Sequence, residues 1–298
     1  VDMAFIFAGD DLLALYRDVD EVIRAMESDY SKYDRTQGAH ALQCSFEVEE
    51  LFGVPSSVVD DLRITYSKTP VYENRKLKET FKCTMPFQRF TGGPDTTFGN
   101  SVNNMAAVAF CLHKGGWDGL LNFSTYVETL GFEAKTIRTS VTQATFLKGW
   151  WVPNGLNYQW VPLPSQILKL GKALSNPRLI FPERSDSSAW ACFAKAVAQS
   201  YGFVTSDYPI LGVLLRKYLT LTPEKVDIDL QLRTYKVVVD NINSIDRPAA
   251  IDMICERYHL DPSDIVRIEH KIDTAPFPGL LRDPVLYNLQ QIDYGPGI

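Results

Sequence analysis

The stretch AFIFAGDDLLALY, residues Ala4 to Tyr16, sets two adjacent carboxylates, Asp10 and Asp11, behind a single glycine between two runs of mostly apolar residues. MAFIFA is short, apolar and rich in β-formers, Gly9 permits a tight turn, and LLALY continues beyond it, so the pattern reads strand, turn, strand. Such a turn projects both side chains from the end of a sheet, and hard carboxylate oxygens suit a divalent cation such as magnesium. By itself a Gly-Asp-Asp is a weak signal, because an ordinary acidic turn looks the same. Its meaning depends on what accompanies it.

Outward from this hairpin, DVDE reads as a polar connector and VIRAMESDYSKYD as a second sheet element with a polar tip. From Gly38 to about Phe90 the pattern is mixed, with a helix from Ser56 or Ser57 through VVDDLRITYS and a charged stretch, ENRKLKETFK. TGGPDTTFGNSVNNMAAVAFCLHKGG is a glycine-rich loop followed by a helix, with Asp95 or Thr96 near its N-cap and Gly115 and Gly116 beyond its end. LLNFSTYVETLGFEAKT then reads as an amphipathic helix stopping near Gly131, with a short strand after it. The aromatics, the turn at Pro153 to Gly155 and the closing prolines of ATFLKGWWVPNGLNYQWVPLP suggest a hairpin. Beyond Pro164 the pattern is mainly helical, and a domain boundary is expected near residue 160. There is no internal repeat and no low-complexity tract.

The 298 residues suffice for one large domain or two ordinary ones, and 45% hydrophobic with 22% charged residues is a globular composition. A net charge of -6 argues against binding nucleic acid through bulk positive charge, but not against a site where metal ions stand between carboxylates and phosphates. Cys44, Cys83, Cys111, Cys192 and Cys255 show no C-x-x-C spacing and are odd in number, which fits free thiols in a reducing compartment. His40, His113, His259 and His270 form no H-x-x-x-H pair, so a zinc site is not expected. No apolar run approaches the roughly 20 residues of a membrane span, and the first residues do not read as a signal peptide.

The hairpin has two companions. In DYSKYD, Asp29 and Asp34 are separated by four residues, and Asp29 at a strand end could meet Asp10 to complete a cluster that two metal ions could bridge. Asp34, past the strand, is left for another task. In TGGPDTTFGN the residues Thr91, Gly92, Thr96 and Asn100 fall at the spacing T-G-x-x-x-T-x-x-x-N. The loop glycines, Gly92 and Gly93, let backbone approach a nucleotide or template, and Thr96 and Asn100 share a helix face at i and i+4. An amide there can bond a ribose 2′-hydroxyl, the group that separates RNA from DNA. No Gly-Lys-Ser or Gly-Lys-Thr follows the glycines, which sets aside a P-loop.

Together these motifs resemble the palm of viral RNA-dependent RNA polymerases, with GDD as motif C, DYSKYDRTQG as motif A and TGGPDTTFGNSVNN as motif B. LNFSTYVETLGFEAKT looks like motif D, with Lys135 at the place of the proton-donating lysine, although Lys114 and Lys148 are rivals in sequence; ATFLKGWW looks like motif E. The order C-A-B-D-E is similar to the permuted polymerases of permutotetraviruses and birnaviruses. The GDD favours the permutotetravirus-like side, since birnaviruses carry Ala-Asp-Asn there. The resemblance covers about residues 4 to 160, and the rest only by its position where a thumb should lie. In the permuted family most of the fingers precede motif C, so the chain is expected to be the palm and thumb of a larger polymerase.

The fold implied is α+β: a mainly antiparallel palm sheet backed by helices over residues 1–160, with a fingers-related insertion at about 40–90, and a helical thumb over 161–298. The resemblance implies template-directed RNA synthesis with two Mg2+ or Mn2+ ions. Asp10, Asp11 and Asp29 would be metal ligands, Asp34 and Asn100 would recognise the ribose with Thr96 in support, and Lys135 would protonate the pyrophosphate. The loop of Thr91, Gly92 and Gly93 would adjust to the template. The implied partners are an RNA template with primer or product and nucleoside triphosphates, with a protein primer if initiation is protein-primed rather than de novo. A virus-encoded enzyme of this kind acts in the host cytoplasm or travels in the virion. Two other readings are a non-catalytic RNA-binding scaffold, which need not bind divalent ions at Asp10 and Asp29, and a reverse transcriptase. The latter is disfavoured because Asp34 with Asn100 suits ribonucleotides.

Overall fold

A computed structural model describes residues 2–18, 20–71, 83–89, 92–170, 172, 176–202, 204, 206–223, 226, 244–277, 279 and 281–295. The expected charged stretch ENRKLKETFK and the site candidate Thr91 lie outside the described residues. The chain divides into two compact units, residues 1–147 and 148–298. A boundary near 160 would have split off a hairpin that in fact goes with the second unit.

The first unit is built on the opening hairpin. β1 (Met3–Ala8) and β2 (Asp11–Arg17) pair antiparallel with Ala8 opposite Asp11, so Gly9 and Asp10 alone make the turn. Gly9 sits at φ 65°, a conformation that costs an L-residue strain, and positive φ at the leading position of a two-residue loop suits the twist of the flanking strands. β3 (Ile23–Tyr30) pairs with β2, giving the sheet order β1-β2-β3-β6 once the later strand β6 (Ala134–Ser140) adds antiparallel to its other edge.

Between β3 and β6 come a single helical turn α1 (Tyr33–Thr36), the helices α2 (Ala39–Leu51) and α3 (Ser56–Ser67), and a short ribbon of β4 (Thr69–Val71) and β5 (Cys83–Met85). The long helix α4 (Thr96–Leu121) and the short α5 (Phe123–Glu128) follow. The helical run passes through the expected stop at Gly115 and Gly116, and Gly116 (φ 54°, ψ −135°) marks a break within it. Alternation along the strands turns Leu12, Ala14, Tyr16, Met26 and Tyr30 to one face, where they bury against Ala107, Val108, Cys111, Phe123 and Val127 of α4 and α5. Burying each large side chain there is worth about 1.5–3 kcal/mol. On the opposite face, Glu27 accepts hydrogen bonds from the backbone N–H of Thr145 (2.8 Å) and from its hydroxyl, tying the segment after β6 to β3.

The second unit opens on the hairpin β7 (Gly149–Asn154) and β8 (Asn157–Pro162). It continues with α6 (Asp186–Ser200), α7 (Leu211–Thr220), α8 (Arg247–Tyr258), α9 (Pro262–Thr274) and α10 (Pro284–Tyr294) around a core that includes Trp150, Tyr208, Ile254, Ile268 and Leu289. Three helices start at an aspartate N-cap followed within two residues by proline, a pairing that satisfies orphan backbone donors and presets φ. Among the described residues no helix is long and apolar enough to cross a membrane. Cys44, Cys111, Cys192 and Cys255 are free thiols.

Candidate active site

Three of the expected residues gather at one end of the sheet because of strand register. The β2–β3 ladder ends with Leu12 opposite Ser28, so the next residues outward, Asp11 and Asp29, lie at the same sheet end, with alternation turning their side chains away from the face of Leu12 and Ser28. Asp29 in turn pairs with Lys135 of β6. Asp10 occupies the adjoining turn. Asp29 and Lys135 are exposed, and Asp10 and Asp11 half-buried. The rival Lys114 lies ten residues beyond Asn104 on α4, ~15 Å further along the helix, with its ammonium 6.0 Å from the Phe110 ring centre.

The turn is held from behind by α4. The Asn104 side chain is fully buried, and its amide N–H groups point to the carbonyl oxygens of Gly9, Asp10 and Asp11 at 3.3–3.4 Å. Its amide oxygen accepts the Tyr30 hydroxyl at 3.2 Å. Ser101, one helical turn earlier, accepts the Gly9 N–H at 2.8 Å. Neither residue was singled out in the sequence, yet Asn100, Asn103 and Asn104 continue the stripe of Ala107, Val108 and Cys111. A polar stripe on the buried side of a helix is the signal that identifies them.

Beneath the turn, Tyr33 stacks on Tyr30 with ring centres 4.2 Å apart. Burial holds its hydroxyl proton far more tightly than usual, with Tyr30 and the charge of Asp10 adding to the effect. That hydroxyl is buried with no hydrogen-bond partner among the described residues.

A second cluster surrounds the first turn of α4. Asn100 donates to the Asp34 carboxylate at 2.7 Å, bringing together the two residues expected at the ribose. Its amide oxygen accepts from Gln37 at 2.6 Å, and the Gln37 oxygen accepts from both Asn103 and Arg89 at 2.8 Å. Arg89 is fully buried. Its guanidinium pairs with Asp95 at 2.6 Å and donates to Ser45 at 2.8 Å. Asp95 stands at the N-cap, but its carboxylate does not cap the helix; it takes Arg89 and the Tyr66 hydroxyl. Burial, reinforced by Asp95, raises the Tyr66 phenol well above its ordinary range. Gly99 leaves the room that the guanidinium fills. Thr96 is half-buried on the same turn, and Gly92, exposed at φ 85°, and half-buried Gly93 lead into it.

The donors at the sheet end are hard oxygens, the chemistry magnesium prefers. Among the described residues no three His, Cys, Asp or Glu side chains group closely enough to hold a metal ion alone. Magnesium in nucleotide-handling sites commonly takes one or two carboxylates and completes its shell with substrate phosphates and water. Asp11 and Asp29 at the shared sheet end, with Asp10 in the adjoining turn, fit that requirement.

A family model described as RNA dependent RNA polymerase matches residues 3–120, which is 118 of the 298. The matched segment contains the hairpin, β3, the Arg89 network and most of α4, and it supports a viral RNA-dependent RNA polymerase, a nucleotidyltransferase class that works on RNA and nucleoside triphosphates. Lys135 and the second unit lie outside the match. No curated protein and no solved structure matches the chain.

Proposed function

We propose that the chain carries the palm of a virus-encoded RNA-dependent RNA polymerase with motifs in the permuted order C-A-B-D-E, acting in the host cytoplasm on RNA and nucleoside triphosphates. The observation that carries the reading is the register, ending with Leu12 opposite Ser28, that brings Asp11 and Asp29 to one sheet end beside the Asp10 turn, inside the segment matched by the polymerase model. Two divalent ions held by Asp10, Asp11 and Asp29 would supply charge stabilisation at the attacking and leaving oxygens of nucleotidyl transfer.

The chain's own residues do the rest. Asn104 and Ser101 fix the turn backbone, so Asp10 and Asp11 project from a set position. Asn100 is buried and its oxygen is taken by Gln37, so its role is to aim Asp34, whose half-buried carboxylate would accept the ribose 2′-hydroxyl. Thr96 supports this contact, and the Gly92 and Gly93 loop gives way to the template. Lys135, in register with Asp29 at the same sheet end, is the candidate to give a proton to the leaving pyrophosphate. The second unit would serve as thumb.

Primer extension on an RNA template tests the reading. In the complete protein, Asp10→Asn and Asp29→Asn should each abolish nucleotide incorporation while leaving the circular dichroism spectrum unchanged. Robust metal-dependent synthesis by either variant overturns the assignment.

A further inference from the structure

Gln37 follows the single turn α1, three residues after Asp34, and is fully buried. Its carbonyl oxygen accepts the backbone N–H of Arg89 at 3.4 Å. Its side-chain oxygen accepts from Arg89 Nε and from the Asn103 amide, both at 2.8 Å, which uses both of its lone pairs. Its amide nitrogen donates to Asn100 Oδ1 at 2.6 Å, and Asn100 Nδ2 donates to the Asp34 carboxylate at 2.7 Å. Arg89, Gln37, Asn100 and Asp34 thus form one chain of hydrogen bonds, buried at its first three members and half-buried at the last.

The ends of this chain fix the direction of every link. A guanidinium can only donate, and a carboxylate can only accept. The two amides between them therefore have one arrangement that satisfies both ends, with each oxygen toward Arg89 and each nitrogen toward Asp34. Turning over Gln37 alone would set its N–H groups against the guanidinium and its oxygen against that of Asn100. Turning over Asn100 alone would set its oxygen against the Asp34 carboxylate. In a buried site such mismatches carry the full cost of an unmade hydrogen bond. A site built to bond a substrate hydroxyl rejects the analogue that lacks it, because the protein group is then left unpaired.

We propose that Gln37 is a specificity-determining positioning residue, which passes the donor-only polarity of Arg89 through Asn100 and so holds Asp34 as the acceptor that separates ribonucleotides from 2′-deoxyribonucleotides. The inference rests on the polymerase reading, and deepens it by naming what sets the sugar preference. Being fully buried, Gln37 acts on the sugar only through Asn100. Gln37→Glu is nearly isosteric and keeps an acceptor for Arg89, but it cannot donate to Asn100. The Asn100 amide then turns its nitrogen toward position 37 and its oxygen toward Asp34, whose carboxylate is repelled.

Primer extension by the complete protein tests this, with kcat/KM for ATP compared against 2′-deoxy-ATP and against mispaired GTP opposite the same template uridine. The wild type should prefer ATP in both comparisons. In Gln37→Glu the preference over 2′-deoxy-ATP should fall by about tenfold, the worth of one charged hydrogen bond, chiefly through a higher KM for ATP. The preference over GTP should stay unchanged, since base pairing to the template sets it. Both preferences are ratios within one preparation, so a smaller folded fraction does not alter them. Should Gln37→Glu yield no active protein, Gln37→Met, which removes the donor and keeps the length of the side chain, should show the same selective loss. An unchanged sugar preference, or an equal loss of sugar and base preference, overturns the proposal and leaves the polymerase reading standing. A wild-type protein that extends no primer overturns that reading and this inference with it.

Discussion

The two polar clusters along α4 differ in what they hold. Around its first turn, side chains hold side chains: Arg89, Asp95, Gln37, Asn100, Asn103 and Ser45 are buried and bonded to one another, and only Asp34 emerges. One turn later, Asn104 and Ser101 hold main chain, and the carboxylates of the turn they fix, Asp10 and Asp11, are half-buried. The first arrangement is closed before anything arrives, which suits discrimination by shape. The second fixes where charge is presented and leaves the shell to be completed by an incoming group.

The largest effect should come from opening the closed cluster. Removing one partner of a buried ion pair leaves the other charged and desolvated, so Arg89→Met should destabilise the first unit by about 3–5 kcal/mol in urea unfolding. Asp95 loses its cation, and Gln37 and Ser45 lose a donor in the same step. A loss below about 1 kcal/mol, the value of an exposed pair, would show that the cluster is not what organises this end of α4.

Asn104→Ala probes the other cluster and should cost less, about 1–3 kcal/mol for the Tyr30 hydroxyl and turn carbonyls left without their partner. The distinguishing readout is local. Hydrogen exchange at the Gly9 amide should speed up, because the turn that Ser101 also holds is loosened, whereas Arg89→Met should leave that amide protected. If Arg89→Met exposes Gly9 as strongly as Asn104→Ala does, the two clusters are one unit and the contrast fails.

How much of this was legible follows from which groups carry the information. The hairpin, α3 and the mainly helical pattern beyond Pro164 were readable because their signals are local, as with Gly9 between two apolar runs. The polymerase resemblance names Asp34 and Asn100 together as ribose contacts, and their hydrogen bond to one another is what the structure adds. α2 was not resolved from its mixed surroundings, for its buried face alternates Leu42 and Phe46 with Ser45 and Glu49. Ser45 bonds an arginine 44 positions away in sequence, and no local period betrays that. The same reason hid Arg89 and Gln37, whose partners are assembled only in three dimensions. Asp95 does stand at the N-cap, as its residue type suggested, but a buried guanidinium takes the carboxylate that would otherwise cap the helix.

The smallest effect isolates backbone from side chain at the hairpin. A Cβ added at Gly9 would meet nothing within 4 Å, so Gly9→Ala should suffer only the penalty of positive φ, ~1–2 kcal/mol. That cost falls on the turn itself, since Ser101 and Asn104 contact backbone atoms that alanine retains. Gly9→Asn, whose side chain tolerates the left-handed region better, should recover part of it in the same unfolding measurement. If the carboxylates are presented by the main chain, divalent-ion affinity should track these variants in the same order, with alanine weaker than asparagine and both weaker than glycine. An affinity indifferent to the turn residue would mean that Asp11 and Asp29 are held by their strands alone, and that the anchoring of the turn to α4 serves stability rather than the site.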